Sequence, residues 1–329
     1  MQAIARLVIS AAFTLGLFGI AAANAWGQGA SYPSRVVRWV VPFPPGGPTD
    51  TTARLFAQHL QQALGQPVII ENRPGAAGNI GNEAVAKAAP DGHTLLLATP
   101  TLVTAPALFP GTLSFDPARS LAPVSLLVIT PHVVVVPAAS PFRTIQELIA
   151  YAKTNPGKLS WASAGIGTIN HLAGELFTQL NGIDMVYIPY KGSAPVMQDL
   201  LGNTLPVAFD NLQFHLPNLK ASKTRALLTL RSERVMSIPD VPSMADIGFP
   251  SFEGSGWSGV AVPAGTPREI VDRLSTEFQR IARIPEVRAL FEGPGSVVVA
   301  SSPDAFATFL SSEAARWQKV IRDRNIKPQ

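Results

Sequence analysis

Val40-Val41-Pro42-Phe43-Pro44-Pro45-Gly46-Gly47-Pro48-Thr49-Asp50 is the stretch on which the reading of this chain turns. An apolar run ends in a stiff Pro pair and a bare Gly pair. Beyond them Ala53, Phe56, Ala57, Leu60 and Leu64 recur at helical spacing until Gly65 stops the pattern. That order, strand then turn then helix, opens an α/β unit. Glycines let backbone N–H groups approach a ligand closely, and a helix N-terminus favours negative charge. The segment therefore suits a small anion, most plainly a carboxylate. It equally suits a turn that only joins strand to helix, and alone it leaves both open.

Outward from this point, strand-like and helix-like segments alternate, as expected for an α/β protein. Val36 to Val41 reads as the first strand, Val68 to Ile70 as the next and Thr94 to Ala98 as a third. A loop at Asn72 to Gly78 and a helix around Glu83 to Ala88 lie between the last two. After Pro131, Val133 to Val136 reads as a strand leaving this first unit. Thr144-Ile145-Gln146-Glu147 is a capping box opening a helix that ends near Asn155-Pro156-Gly157. Leu159 to Ser163, Met185 to Ile188, Leu205 to Phe209 and Arg225 to Leu230 follow as short strands. Gly254 to Val262 leads back. Thr266-Pro267-Arg268-Glu269 combines a capping box with Pro at the first helical position, and Ser302-Pro303 opens a last helix. Its Phe306, Phe309 and Trp317 are expected on the first unit. The expectation is a two-lobed molecule with a ligand cleft between two α/β domains, one from 32–131 and 254–329, the other from 132–253.

Composition narrows the class. Hydrophobic residues make up 47% of the 329, which excludes disorder and supports large cores. Arg6, the apolar run from Leu7 to Ala22 and the small-residue triplet Ala23-Asn24-Ala25 read as a cleaved export signal over 1–25. With no cysteine there is neither a disulfide nor a site for a lipid anchor, which suits a bacterial periplasm. The formal charge of +4 is mild, and the basic residues are scattered without the clustering or aromatic interleaving that nucleic acid requires.

A second glycine-bearing loop, Ser163-Ala164-Gly165-Ile166-Gly167-Thr168, again lies between a strand and a helix. It is not a dinucleotide fingerprint, because Asn170 stands at the third glycine position, and it lacks the lysine of a phosphate-binding loop. Two such loops, one per lobe at strand carboxyl ends, would face one solute across a cleft. Tyr190-Lys191-Gly192-Ser193-Ala194-Pro195 is a third strand-to-helix junction, where Lys191 reads as an anion partner or a solvated lysine. Asp210 is a cleft acceptor or a turn cap. Asp50 is a cleft carboxylate or a cap that orients the Gly46-Gly47 loop. Catalytic patterns are missing: the windows around Ser163 and Ser258 do not fit a nucleophile elbow, and the five histidines show no metal-binding spacing. His171, beside the second loop, reads first as a side chain that holds it.

Taken together the motifs resemble those of the Bug-type extracytoplasmic solute receptors, the substrate-binding component of tripartite tricarboxylate transporters. The likeness rests on Pro42-Phe43-Pro44-Pro45-Gly46-Gly47 with Asp50 and Ala53-Arg54, and on Leu64-Gly65-Gln66-Pro67-Val68 through Glu71-Asn72-Arg73-Pro74-Gly75-Ala76 and Gly78. Pro90-Asp91-Gly92, Gly165, Gly167-Thr168, His171-Leu172-Ala173, Tyr190-Lys191-Gly192, Phe209-Asp210 and Gly265-Thr266-Pro267 follow in order. The chain departs from the pattern at His93, where Tyr is usual, and at Pro206, where Asp is common. The Pro puts in doubt how the strand edge at Phe209 is paired. The resemblance implies a periplasmic-binding-protein fold of type II character that closes on a small carboxylate, held by the two loops partly through ordered water. It also implies a membrane permease as partner.

The expected protein is thus a soluble periplasmic receptor for a small organic acid (a di- or tricarboxylate, an aromatic acid or an acidic amino acid), monomeric, with no cofactor, metal or catalytic residue. Gly46, Gly47, Gly165, Gly167 and Thr168 are expected to contact the anion. Phe43, Asp50, Thr99, Thr101, Ser163, Asn170, Tyr190 and Asp210 are expected to shape the site. The rival readings are a receptor that reports ligand to a membrane signalling partner and an enzyme acting on carboxylates.

Overall fold

The computed structural model describes residues 32–327; the export-signal reading of 1–25 lies outside them. Two separate sheets organise the molecule. The first has six strands: β1 (Val37–Val41), β2 (Val68–Asn72), β3 (Thr94–Ala98), β4 (Leu121–Thr130), β10 (Gly256–Pro263) and β11 (Val297–Val298), in the order β11-β4-β10-β3-β1-β2. The second has five: β5 (His132–Pro137), β6 (Ser160–Ser163), β7 (Val186–Pro189), β8 (Ala208–Asn211) and β9 (Thr224–Thr229), in the order β7-β6-β8-β5-β9. β1 runs parallel to β2 and β3, and β6 parallel to β7 and β8; β10 and β5 are antiparallel to both of their neighbours.

Helices cover both faces of each sheet, so the central strands are apolar throughout, and Val133 to Val136 are fully buried. In the first lobe α1 (Pro48–Leu64) and α9 (Arg268–Ile281) bury Phe56, Leu60 and Phe278 against Trp39 and Val37 on one face. On the other face pack α2 (Asn79–Ala86), α3 (Thr101–Leu108) and α11 (Pro303–Asp323), through Val85, Leu102 and Phe306. The short α4 (Pro117–Ser120) leads into β4, and α10 (Pro285–Glu292) adds Val287 and Phe291 to the α1 side. In the second lobe α5 (Ile145–Thr154) and α6 (Ile169–Asn181) cover one face with Leu148 and Phe177. There α7 (Ser193–Leu201) and α8 (Leu212–Lys220) cover the other with Val196, Leu200 and Leu216. The capping box at Thr144 and Glu147 forms with both of its hydrogen bonds.

Several local expectations are corrected. Thr266 and Glu269 make no capping box: the helix starts at Arg268, and the Thr266 hydroxyl donates to the Pro263 carbonyl at 2.7 Å. The strand read at Leu205 to Phe209 begins at Ala208 instead. Pro206 lacks an N–H, and pairing with β6 begins where the Val207 carbonyl accepts from the Ala162 N–H at 3.0 Å. Trp317 is not placed with Phe306 and Phe309. It packs with Leu108 of α3 and with Ile169 and Leu172 of α6, so the second half of α11 joins the two lobes. β4 and α3 are additional elements that the sequence reading did not include.

Candidate functional site

A cavity opens between the two sheets, with a volume of about 100 Å³ to the centres of water-sized spheres, room for several waters or a small solute. The helices that follow the strands turn their first residues toward it. On the first lobe it is lined by Phe43 to Pro45 and by Gly47, Pro48, Thr49 and Thr52 at the start of α1. Thr99 to Thr101, at the start of α3, complete that wall. On the second lobe it is lined by Ala164, by Thr168 to Asn170 at the start of α6, and by Lys191 to Pro195 at the start of α7. Thr130, Gly256, Trp257 and Ser258 from β4 and β10 also line it, together with His132, Asp210 and Asn211. The N-termini of α1, α3, α6 and α7 thus all open on one small space.

The first N–H groups of an α-helix have no acceptor within the helix, and their partial charges favour an anion. Pro48, at the first position of α1, has no N–H, which leaves those of Thr49 and Asp50. In α6 the Thr168 hydroxyl takes the His171 N–H at 3.4 Å, and those of Ile169 and Asn170 remain. Lys191, exposed at the rim, is the one cation among the lining residues. Charge in this cavity is therefore met mainly by backbone.

Asp50 does not line the cavity. It is 3% exposed, and its Oδ2 accepts from the Gly46 N–H at 3.0 Å and from Arg54 Nε at 2.9 Å, while Oδ1 accepts from Asn72 Nδ2 at 2.9 Å. Asn72 Nδ2 also donates to the Phe43 carbonyl at 3.0 Å, so the whole loop is laced to the end of β2. Burial pushes the Asp50 carboxyl up, but the Arg54, Gly46 and Asn72 hydrogen bonds outweigh it and hold the pKa below the usual range. This lacing uses the Gly46 N–H, and Gly46, at φ +81°, faces away from the cavity that Gly47 lines.

The second loop is divided in the same way. Thr168 and Asn170 line the cavity; Ser163, Gly165 and Gly167 do not. Ser163 Oγ pairs with the Tyr187 hydroxyl at 2.9 Å beneath the loop, and the Gly165 carbonyl accepts from Thr168 Oγ1 at 2.6 Å. Gly167 turns toward the first lobe, where its carbonyl accepts from Thr104 Oγ1 at 2.8 Å. Its N–H donates to His171 Nδ1 at 3.3 Å, which fixes the imidazole proton on Nε2 and gives His171 its loop-holding role. Tyr190 also lies outside the lining and donates its hydroxyl to Asp199.

Asp210, 1% exposed, ties three helix starts together. Its Oδ1 accepts from Asn170 Nδ2 at 3.2 Å, Ser193 Oγ at 2.8 Å and the Asn211 N–H at 2.8 Å, and its Oδ2 accepts from His215 Nε2 at 3.1 Å. Desolvation pushes its pKa up, but the His215, Ser193 and Asn211 contacts outweigh it, so the net shift is downward. Of the expected residues the cavity brings together Phe43, Gly47, Thr99, Thr101, Thr168, Asn170 and Asp210. Thr99 and Thr101 were expected without the helix that starts there, Ser193 lay in the third junction with no role given, and Thr49, Thr52, Thr130, His132 and the β10 residues were not expected. The Ser193-Ala194-Pro195 helix start was the legible signal among these. Among the described residues no group of three His, Cys, Asp or Glu side chains is placed to hold a metal ion.

Two α/β lobes around a cleft define a solute-binding protein of the periplasmic kind, and known proteins agree. The chain belongs to the family described as tripartite tricarboxylate transporter family receptor, whose model matches residues 52–326. A Pseudomonas sp. (strain P51) protein from the tcbD-tcbE intergenic region is 39% identical over 88% of this chain and 87% of its own length. Protein BugT of Bordetella pertussis is 37% identical over 90% of this chain and 91% of its own. Among solved structures, Rhodopseudomonas palustris MatC with bound malate is 34% identical, with a TM-score of 0.83, covering 88% of this chain and 100% of that one. R. palustris Rpa4515 with adipate is 34% identical, with a TM-score of 0.86, covering 91% of this chain and 100% of that one.

Proposed function

We propose that this receptor captures a small organic carboxylate in the periplasm and delivers it to the membrane subunits of a tripartite tricarboxylate-type transporter. The observation that carries the reading is the convergence of four helix N-termini on a cavity whose one lining cation sits at the rim. Uncommitted backbone donors suit the planar, multiply accepting oxygens of a carboxylate, directly or through ordered water. The ligands named for the adipate- and malate-bound relatives are of that class. In this reading 32–131 with 254–329 and 132–253 are the two bodies that close on the ligand. Gly47, Thr49, Thr101, Thr168, Ile169 and Asn170 meet the carboxylate, and Phe43 and Asp210 shape its surroundings. Gly46, Asp50, Gly165 and Gly167 act as supports for the loops, and Ser163 and Tyr190 as supports beneath them. A ligand bound only by the closed form shifts the population toward it, and the permease then reads that form.

A thermal-shift panel tests the reading. At a hundred times its dissociation constant a carboxylate stabilises the protein by about 2.7 kcal/mol. Stabilisation by aliphatic or aromatic acids and not by sugars or peptides is the expected result. Stabilisation by a neutral sugar alone contradicts it.

A further inference from the structure

The residues lining the cavity carry two charges, and these differ in exposure. Asp210, the acid, is 1% exposed and saturated by its donors, and Lys191, the cation, is open to solvent. Pro45 and Lys191 are the two exposed residues of the lining, one from each lobe, so they mark where the cavity meets solvent. A Cβ on Gly192 would lie 3.4 Å from Pro44 Cδ, so the residues next to Lys191 and Pro45 touch across the cleft. The mouth lies between these two residues.

Lys191 is also uncommitted. It enters no hydrogen bond or ion pair among the described residues, whereas Arg54 in α1 is paired with Asp50 at 2.9 Å and Arg73 after β2 with Glu71 at 2.7 Å. The backbone around it is fixed on both sides. The Tyr190 hydroxyl is anchored on Asp199, and the Gly192 N–H donates to the Ala164 carbonyl at 2.9 Å, which ties this junction to the second glycine loop. The fold thus holds a free ammonium at the entrance.

An exposed lysine is a poor clamp, because its ammonium is strongly hydrated and an ion pair in water adds little affinity. As a charge beside an opening it acts at a distance, raising the rate at which an anion arrives. A unit charge about 6 Å away in water changes that rate roughly threefold at low salt, and the factor multiplies with each charge on the ligand. Asp210 opposes an incoming anion, and Lys191 is the lining charge that offsets it. We infer that Lys191 is the capture residue of this receptor: from the mouth its ammonium draws the anion in and sets the association rate, while the helix N-termini inside hold it. This rests on the carboxylate reading above.

The test is stopped-flow mixing read by tryptophan fluorescence, since Trp257 lines the cavity. The probe is the tightest binder among succinate, malate, citrate and benzoate, at about pH 7.5 and about 10 mM salt. Association should slow roughly threefold per ligand charge in Lys191→Gln and by the same factor again in Lys191→Glu, with dissociation unchanged to within about twofold. Lys191→Arg, which keeps the charge, should associate like the unaltered protein. At about 0.5 M salt the differences should shrink to within about twofold. Should fluorescence stay constant on binding, the same rates are read from exchange broadening of the ligand's proton NMR signals. Association indifferent to the charge at this position overturns the inference and leaves the carboxylate reading standing. A change confined to dissociation does the same, because it would make Lys191 a holding contact. Binding of none of the four acids overturns the carboxylate reading and the inference with it.

Discussion

Replacing Asp50 by Asn changes one buried oxygen into a donor while keeping the shape of the side chain. Three donors converge on the carboxylate: Gly46 N–H and Arg54 Nε on one oxygen, Asn72 Nδ2 on the other. The new amide satisfies the first pair by turning its oxygen to them, and its NH₂ then faces the NH₂ of Asn72. Asn72 cannot rotate away cheaply, because its Nδ2 also serves the Phe43 carbonyl and its Oδ1 accepts from Arg54 Nη2 at 3.3 Å. One hydrogen bond is lost, two donors oppose each other, and the charge assistance to Arg54 disappears. Together these cost about 2–3 kcal/mol. With an unfolding entropy of about 2 cal/mol/K per residue, a chain of this size should lose about 4 °C in Tm. Differential scanning calorimetry measures that, and titration with the best acid from the panel measures the loop. A support role predicts the Tm loss with weakened binding, as the Gly46-Gly47 loop relaxes. Weakened binding at unchanged Tm would refute the argument, because it would make Asp50 a ligand group.

Three further outcomes follow from packing and titration. Gly174→Ala in α6 places a Cβ 2.2 Å from Trp161 Cζ3, and that ring is buried, so despite the better helix propensity Tm should drop by about 2–5 °C, on the order of 1–3 kcal/mol of overpacking; an unchanged or raised Tm contradicts it. Thr104→Val removes the hydroxyl that reaches the Gly167 carbonyl across the lobes at 2.8 Å, which should weaken ligand binding by about tenfold if that bond is part of the closed form; equal affinity removes it from the account. His132 and His171 are both held neutral by burial, at about 4. The unfolded chain takes up protons below about 6.5 and the folded chain does not, so stability is full above that pH and declines toward 4. The loss is on the order of 3 kcal/mol for each histidine, and Tm should fall steadily between pH 7 and 5. His171→Phe should roughly halve that slope, and a flat profile would refute the assignment.

Where one residue's immediate neighbours decide its conformation, the sequence was legible. The apolar stripe from Ala53 to Leu64, the Gly65 stop and the Thr144 capping box all appear as read. α3 was missed because nearly every residue from Thr101 to Leu108 is buried, so it has no polar face to reveal its period, and Pro106 interrupts it. β4 was missed because Pro123 and Ser125 break its apolar run and only Pro131 separates it from β5. In the site, the loops were legible and the direction of their N–H groups was not. Gly46 and Gly47 look alike in sequence, and Asp50, through its bond to Gly46, holds that glycine while Gly47 lines the cavity. Trp317 and His132 depend on partners far along the chain, α6 for one and Gly256 for the other, which no local pattern announces.

The central claim is that helix N-termini, and not a buried cation, hold the ligand's carboxylate. A crystal structure of the protein with the tightest-binding acid measures this directly. Carboxylate oxygens are expected within about 3 Å of first-turn N–H groups of α1 and of α6 or α7, or one ordered water away. A ligand seated elsewhere, or one whose carboxylate is met by Lys191 alone while those N–H groups stay empty, would contradict it.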